Sequence, residues 1–379
     1  MKVSVITLHT VDNYGSVMQT YATQQVLKEC GYDVEFVDYW RKDNLIENRA
    51  KKMLESSTLQ KLKPLWGVSG FTRGAMILIL KLMLEKRKSP MWRFLEEKVK
   101  LTKVRYCSYE ELEANPPVAD VYITGSDQVW NSIWNQGIDR SYFLAFAPAG
   151  KSRIAFSASI GREQLDAKEI PETQRLLEKY SAISVREQSA VELLASMNIK
   201  STLVLDPTLM LRADEWRNLA VKYESKNPYL LVYQLNPNPQ MDQYAEQLAQ
   251  KKNWEVVRIG FGRSDGKKSG KCILLPSVEK FLGLLCNATC VLTDSFHVTA
   301  FSLNLETDFI SILPGKFGTR IESILKLTGT ENRLLTQFDD FEIAEHKIDK
   351  KGVQEILEKK RREDIQWLKI ALNRRGKAK

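Results

Sequence analysis

Residues 1–37 read MKVSVITLHTVDNYGSVMQTYATQQVLKECGYDVEFV. Val3–Leu8 is a short apolar run and HTVDNYG a polar loop. Met18, Ala22 and Val26 then recur every fourth residue with Val17 and Tyr21 beside them, which is the spacing of one helix face. Ser16 followed by Gln19 fits an S-x-x-Q capping box, and Gly31 is a suitable stop. Val34–Val37 reads as a second strand. Strand, loop, helix and strand in this order open a β-α-β unit and hence a parallel sheet.

Working outward, residues 41–115 read as mostly helical and rich in lysine and arginine. Strand signals resume at Asp120–Thr124, Arg153–Ser157, Ala182–Val185 and Leu203–Leu205. After DPTLML a polar, charged passage runs to Asn227–Pro228 and reads as an interdomain connection. A second alternation follows: strand Tyr229–Gln234, helix 240–252, strands Trp254–Ile259 and Lys271–Leu275, helix 277–288, strand Cys290–Thr293, a helix from Ser295 and strand Asp308–Leu313. The expected class is α/β, with two Rossmann-like domains, residues 1–205 and 206–351, and a cleft between them at the C-terminal ends of the strands. A last helix, about 352–379, is expected to pack back on the first domain, with Val353, Ile356, Leu357, Ile365, Leu368 and Leu372 as its apolar side.

Composition narrows the function. The 379 residues are 43% hydrophobic and 27% charged, which excludes wholesale disorder. The longest apolar patch, Gly74–Leu84, is short and carries Lys81, so no membrane span is expected. MKVSVITLH lacks the marks of a signal peptide, and a cytoplasmic location is expected. Five cysteines without a C-x-x-C pair, and three histidines away from them, predict reduced thiols and no metal site. The net charge of +9 is not interleaved with aromatics, so nucleic acid is not an expected partner. The basic, amphipathic stretches near 73–105 and 352–375 have two readings: peripheral contact with the anionic inner face of the cell membrane, or core-packing helices with solvated outer faces.

Four loops that follow strands carry polar clusters. In HTVDNYGSVMQ, Asn13, Gly15 and Ser16 stand at a helix N-terminus, where free N–H groups suit an anion; the same residues also make an ordinary turn and cap. GSDQVWN brings together Asp127, Gln128, Trp130 and Asn131, with Trp130 read either as a platform for a sugar ring or as core. In SVRE, Arg186 follows a strand and either clamps a carboxylate or phosphate or pairs with Glu187 at the surface. In TDSFHVTAF, Ser295 begins a helix and His297 sits in its first turn, either beside an anion site or as a satisfied interior residue. PGKFGTR adds Lys316 and Arg320. Several cations at strand ends imply an anionic ligand.

Taken together and in order, NYGSVMQTYA, GSDQVWN, SVRE, LDPTLML and TDSFHVTAF resemble the polysaccharide pyruvyl transferase family over about residues 1–335. One departure is Val298, where the family often has a small residue after the histidine. The resemblance implies a GT-B-like arrangement. It also implies transfer of pyruvate from phosphoenolpyruvate onto two hydroxyls of a sugar in a surface polysaccharide precursor, giving a cyclic ketal and phosphate. Phosphoenolpyruvate is then a co-substrate and no cofactor is required; the acceptor sugar is lipid-linked in such pathways. Under that resemblance His297 is the general acid and Arg186 holds the donor. Arg320, Lys316, Ser295 and the Asn13–Ser16 turn assist, and Asp127, Gln128, Trp130 and Asn131 bind the acceptor or line the cleft. Two rivals stay open: a GT-B-type glycosyltransferase using a nucleotide-sugar, and a catalytically dead scaffold.

Overall fold

The computed structural model describes residues 1–55, 70–86, 89–262, 264–315 and 318–374. Within them the chain forms two parallel sheets. The first contains β1 (Lys2–Ile6), β2 (Asp33–Tyr39), β3 (Leu101–Tyr106), β4 (Val121–Thr124), β5 (Ser152–Ala158), β6 (Ala182–Val185) and β7 (Thr202–Leu203), in the order β3-β2-β1-β4-β5-β6-β7. The second contains β8 (Tyr229–Tyr233), β9 (Glu255–Gly260), β10 (Lys271–Leu274), β11 (Cys290–Thr293) and β12 (Phe309–Ser311), in the order β10-β9-β8-β11-β12. The strand order reverses between β1 and β4 and again between β8 and β11. Such switch points leave a crevice beyond the strand ends.

The helices that matter below are α1 (Tyr14–Glu29), α2 (Ile46–Leu54), α3 (Gly70–Lys86), α4 (Phe296–Leu305), α5 (Thr319–Thr328) and α6 (Lys350–Leu372). α1 starts two residues before the expected capping box. Its cap is Asn13, whose side chain accepts from the Gly15 and Ser16 amides, so Ser16 lies inside the first turn. An asparagine at the N-cap satisfies orphan amides as well as a serine does, and it precedes the helix by one position.

β3 departs from the mostly helical expectation for 41–115. It is an edge strand whose Lys103, Val104 and Arg105 are exposed, so it shows none of the apolar run that marks a central strand. α6 departs in another way. The expectation returned it to the first half, yet it lies across both. Asp364 accepts from the Leu205 amide, Arg361 donates through Nε to the Leu209 carbonyl and through Nη2 to Asn304, and Gln354 donates to the Leu303 carbonyl. Its apolar side is buried at Val353, Leu357, Leu368 and Leu372, and it packs as part of the core. This apolar side fits the core-packing reading of 352–375 and is not free to enter a membrane; residues 375–379 lie outside the described residues.

One buried apolar cluster runs from Val5, Phe36 and Phe156 through Met210 and Trp216 to Leu231, Val291 and Phe301, joining the two sheets. Tyr14 is the sharpest link. Its ring stacks on Phe281 at 4.3 Å and its hydroxyl donates to the Pro276 carbonyl at 2.5 Å, so the first turn of α1 is fixed against the second sheet's layer.

Candidate active site

A cavity of about 590 Å³ opens where the two switch points face each other, a size typical of small-molecule sites. The loop after β1 supplies Asn13 and Ser16, and the loop after β4 supplies Asp127 and Gln128. Leu235 and Asn236 follow β8, Asp294–His297 follow β11, and Arg320 opens α5.

The floor is an ion network. Arg186 has no exposed side-chain surface. Its Nη1 donates to Asp206 Oδ2 at 2.5 Å and to Ser126 Oγ at 3.2 Å, and its Nη2 donates to Asp127 Oδ1 at 3.1 Å. Burial works against the guanidinium charge, but Asp206 and then Asp127 outweigh it, and its pKa is raised. Asp127 answers in kind: burial raises its pKa, the Arg186 charge overrides that, and the carboxyl is held far below its usual range. Ser16 Oγ donates to the other oxygen of Asp127 at 2.5 Å. Asp127 also adopts φ +76°, a strained conformation for a residue with a side chain and one that clusters at functional sites.

Arg186 is thus occupied by its own protein and does not border the cavity. Glu187 also pairs with it, Oε2 lying 3.9 Å from Nε, but inside the protein and not at the surface. That glutamate is fully buried and accepts from Ser159 Oγ and from the Ile160 and Gly161 amides at 2.8–2.9 Å, which closes the loop after β5.

The wall is built differently. β11 ends at Thr293, Asp294 binds the Leu235 and Asn236 amides, and Ser295 caps α4 through the Val298 amide. The first intrahelical bond of α4 runs from the Thr299 amide to the Ser295 carbonyl, so the amides before it lead the helix into the cavity. His297 is buried, with Nε2 3.3 Å from Arg186 Nη1 and 3.9 Å from Asp206 Oδ2. A guanidinium only donates, so Nε2 accepts and the ring is neutral. Burial first, and Arg186 against the pull of Asp206, lower the imidazole pKa to about 4.

Arg320 borders the same cavity, and its buried Nε has no partner among the described residues. Burial, then repulsion from Arg186, lower its pKa to about 10. Both guanidinium groups lie against the Phe296 ring, Arg186 at 4.8 Å and Arg320 at 5.8 Å. Arg320 is thus a half-buried cation held near another cation, a setting that an anion relieves.

The predicted residues therefore divide. Asn13, Ser16, Asp127, Gln128, Ser295, His297 and Arg320 meet at the cavity. Gly15 lies beneath it: a Cβ there would stand 2.1 Å from His297 Nδ1, so only glycine lets the ring sit where it does. The α1 amides are not the open anion site expected, because Asn13 Oδ1 already accepts from Gly15 and Ser16.

Trp130 is core: it stacks on Phe143 at 5.6 Å, meets Tyr180 edge-on and donates to the Tyr142 carbonyl. Asn131 is fully buried and caps the short helix Ser132–Asn135. Neither reaches the cavity. Lys316 lies outside the described residues. Sequence reasoning missed Asp206, which caps the turn Pro207–Met210 with one oxygen and holds Arg186 and Ser126 with the other. It also missed Asn44, Lys52, Trp134 and Asn236 on the lining. The LDPTLML motif was the one signal for Asp206, and Asp294 stands in TDSFHVTAF but was read only as a cap; the others stand in no motif.

The fold places the chain among proteins with two facing Rossmann-like domains of GT-B type. It is similar to the UDP-GlcNAc 2-epimerase from Methanocaldococcus jannaschii, with 15% identity over 98% of this chain and 99% of that one and a TM-score of 0.50. It is similar also to Arabidopsis thaliana UGT89C1, with 10% identity over 98% and 99% and a TM-score of 0.52. Staphylococcus aureus MnaA, solved with UDP, gives 10% identity over 100% and 92% and a TM-score of 0.50. At these identities the likeness is one of fold. No curated protein sequence matches. The family model for polysaccharide pyruvyl transferase matches residues 13–315, and the chain belongs to that family.

Proposed function

We propose that the protein moves pyruvate from phosphoenolpyruvate onto two hydroxyls of a sugar, forming a cyclic ketal and releasing phosphate. The observation that carries this reading is the pairing, on one cavity wall, of Arg320, whose buried Nε has no partner among the described residues, with the neutral, buried His297 at the head of α4. Phosphoenolpyruvate brings a carboxylate and a phosphate; Arg320 and the leading amides of α4 receive that charge. The added negative charge raises the imidazole pKa, and His297 takes up a proton as the donor binds.

That proton goes to C3, and C2 becomes an oxocarbenium-like centre faced by the permanently ionised Asp127. The first hydroxyl forms a bond to C2 and returns a proton to His297. The bond from C2 to the phosphate oxygen then breaks, the second hydroxyl closes the ketal, and its proton leaves with phosphate. No metal or redox cofactor enters this scheme. General acid catalysis of this kind is worth ~10²–10⁴-fold in rate. The side chains of Gln128, Asn44 and Asn236, on the same lining, offer hydrogen bonds for the acceptor.

Thermal unfolding with phosphoenolpyruvate, against phosphate, pyruvate, UDP and GDP, tests the donor without knowledge of the acceptor. A ligand at 100 times its Kd adds about 2.7 kcal/mol of stability. Stabilisation by phosphoenolpyruvate beyond that given by phosphate or pyruvate is the expected result. Stabilisation by a nucleoside diphosphate instead would move the assignment to a glycosyltransferase.

A further inference from the structure

α3 is apolar on two sides. One side packs on α2: Leu80 is buried with Ala50 and Leu54, and Met76, Ile77 and Leu84 lie against them. The other side faces outward, where Phe71, Leu78, Ile79, Leu82 and Met83 are between 49% and 86% exposed. Their positions, with exposed Ala75 between Phe71 and Leu78, follow the spacing of a single helix face over more than three turns. Monomeric soluble proteins rarely leave such a continuous apolar strip in water.

Two further observations say what covers it. The helix pair is basic: residues 46–55 and 70–86 carry six lysines and arginines against three glutamates, and Arg73 and Lys81 lie on α3 itself. The pair also adjoins the site, because Lys52 of α2, two residues before the Leu54 that packs with Leu80, lines the catalytic cavity. An apolar stripe with basic flanks matches an anionic bilayer, whose headgroups attract the lysines and arginines and whose acyl boundary takes the leucines.

We infer that the outer face of α3, through Phe71, Leu78, Ile79, Leu82 and Met83, docks the protein on an anionic lipid bilayer with the cavity mouth beside the membrane surface. The docking itself needs no catalytic step; its use rests on the reading that the acceptor sugar is lipid-linked. It assigns to α3 alone the membrane contact that the C-terminal helix cannot make, since the apolar side of α6 is buried in the core.

The test is co-sedimentation of the full chain with vesicles of phosphatidylglycerol and phosphatidylcholine in equal parts, against phosphatidylcholine alone, at ~0.1 M salt. The expected result is partition at least tenfold stronger to the anionic vesicles, weakened by high salt as screening demands. The double variant Leu78→Glu, Leu82→Glu should lose that partition while keeping the thermal shift given by phosphoenolpyruvate. Hydrogen exchange on the unmodified protein should show vesicle-dependent protection of residues 70–86, so the outcome does not hang on the variant's folding. No partition, equal partition of the variant, or protection elsewhere would overturn the inference. So would concentration-dependent self-association that the same variant abolishes, since a second copy would then cover the stripe. A docked protein unresponsive to phosphoenolpyruvate would leave docking intact and sink the donor assignment instead.

Discussion

The floor and the wall of the cavity use the same side-chain chemistry to opposite ends. On the floor, Arg186 meets Asp127, Asp206 and Ser126, and every carboxylate in the group has a donor. On the wall, Arg320 borders the cavity with a buried Nε that has no partner among the described residues, and burial lowers the pKa of His297 and keeps it neutral. Each arginine keeps one buried Nε without a hydrogen-bond partner among the described residues; what separates them is that both Nη groups of Arg186 are taken by carboxylates, whereas Arg320 borders the cavity. Under the proposed function, donor recognition falls to Arg320, proton transfer to His297 and a positioning role to Arg186, although the sequence pattern alone made Arg186 the more prominent of the two arginines.

Variants can break that contrast. The largest effect is expected at the wall: His297→Gln should lower turnover by ~10²–10⁴-fold while phosphoenolpyruvate affinity changes little, read by phosphate release and by titration. A near-normal rate would remove the histidine from the proton path. On the floor, Arg186→Met should instead cost ~3–5 kcal/mol of stability, because it strands Asp127 and Asp206 as unpaired buried charges. Chemical denaturation measures this, and an unchanged midpoint would mean that the network carries no structural load.

Gly15→Ala joins floor to wall. The new methyl would enter the space of the His297 ring, and a displacement of about 1 Å is enough to reduce turnover ~10²-fold with the fold intact. An unaffected rate would show that the ring has room to move.

The smallest effect is in pH. With its pKa lowered to about 4, His297 is unprotonated in the folded protein, while in the unfolded chain it protonates near 6.5. Stability from this residue is full above pH 6.5 and is lost as pH falls from there toward 4, because the unfolded state binds the proton first. The slope of stability against pH over this interval should flatten in His297→Gln, and an unchanged slope would contradict the buried neutral ring.

The opening β-α-β unit and both alternations were readable because parallel strands buried on both faces leave apolar runs, as in VYIT of β4 and VLT within β11. β3 was not, since an edge strand carrying Lys103 and Arg105 has no such run. At the site, residues in loops directly after strands could be named, His297 and Arg320 among them. What the sequence withheld was direction. GSDQVWN looked uniformly polar, yet the positive φ at Asp127 turns that side chain to the cavity while Trp130 points back into the core. Likewise, nothing in SVRE distinguishes an arginine that faces a ligand from one that faces Asp206, because Asp206 lies twenty residues on and is brought near by folding.

The measurement that bears most directly on the floor-and-wall assignment is calorimetric titration of phosphoenolpyruvate into the unmodified protein and into Arg320→Ala, each in two buffers of different ionisation enthalpy. The assignment predicts binding with proton uptake by the unmodified protein, and affinity at least tenfold weaker in the variant with its unfolding temperature little changed. Equal affinity in the two proteins, or binding without proton uptake at pH 7, would contradict it.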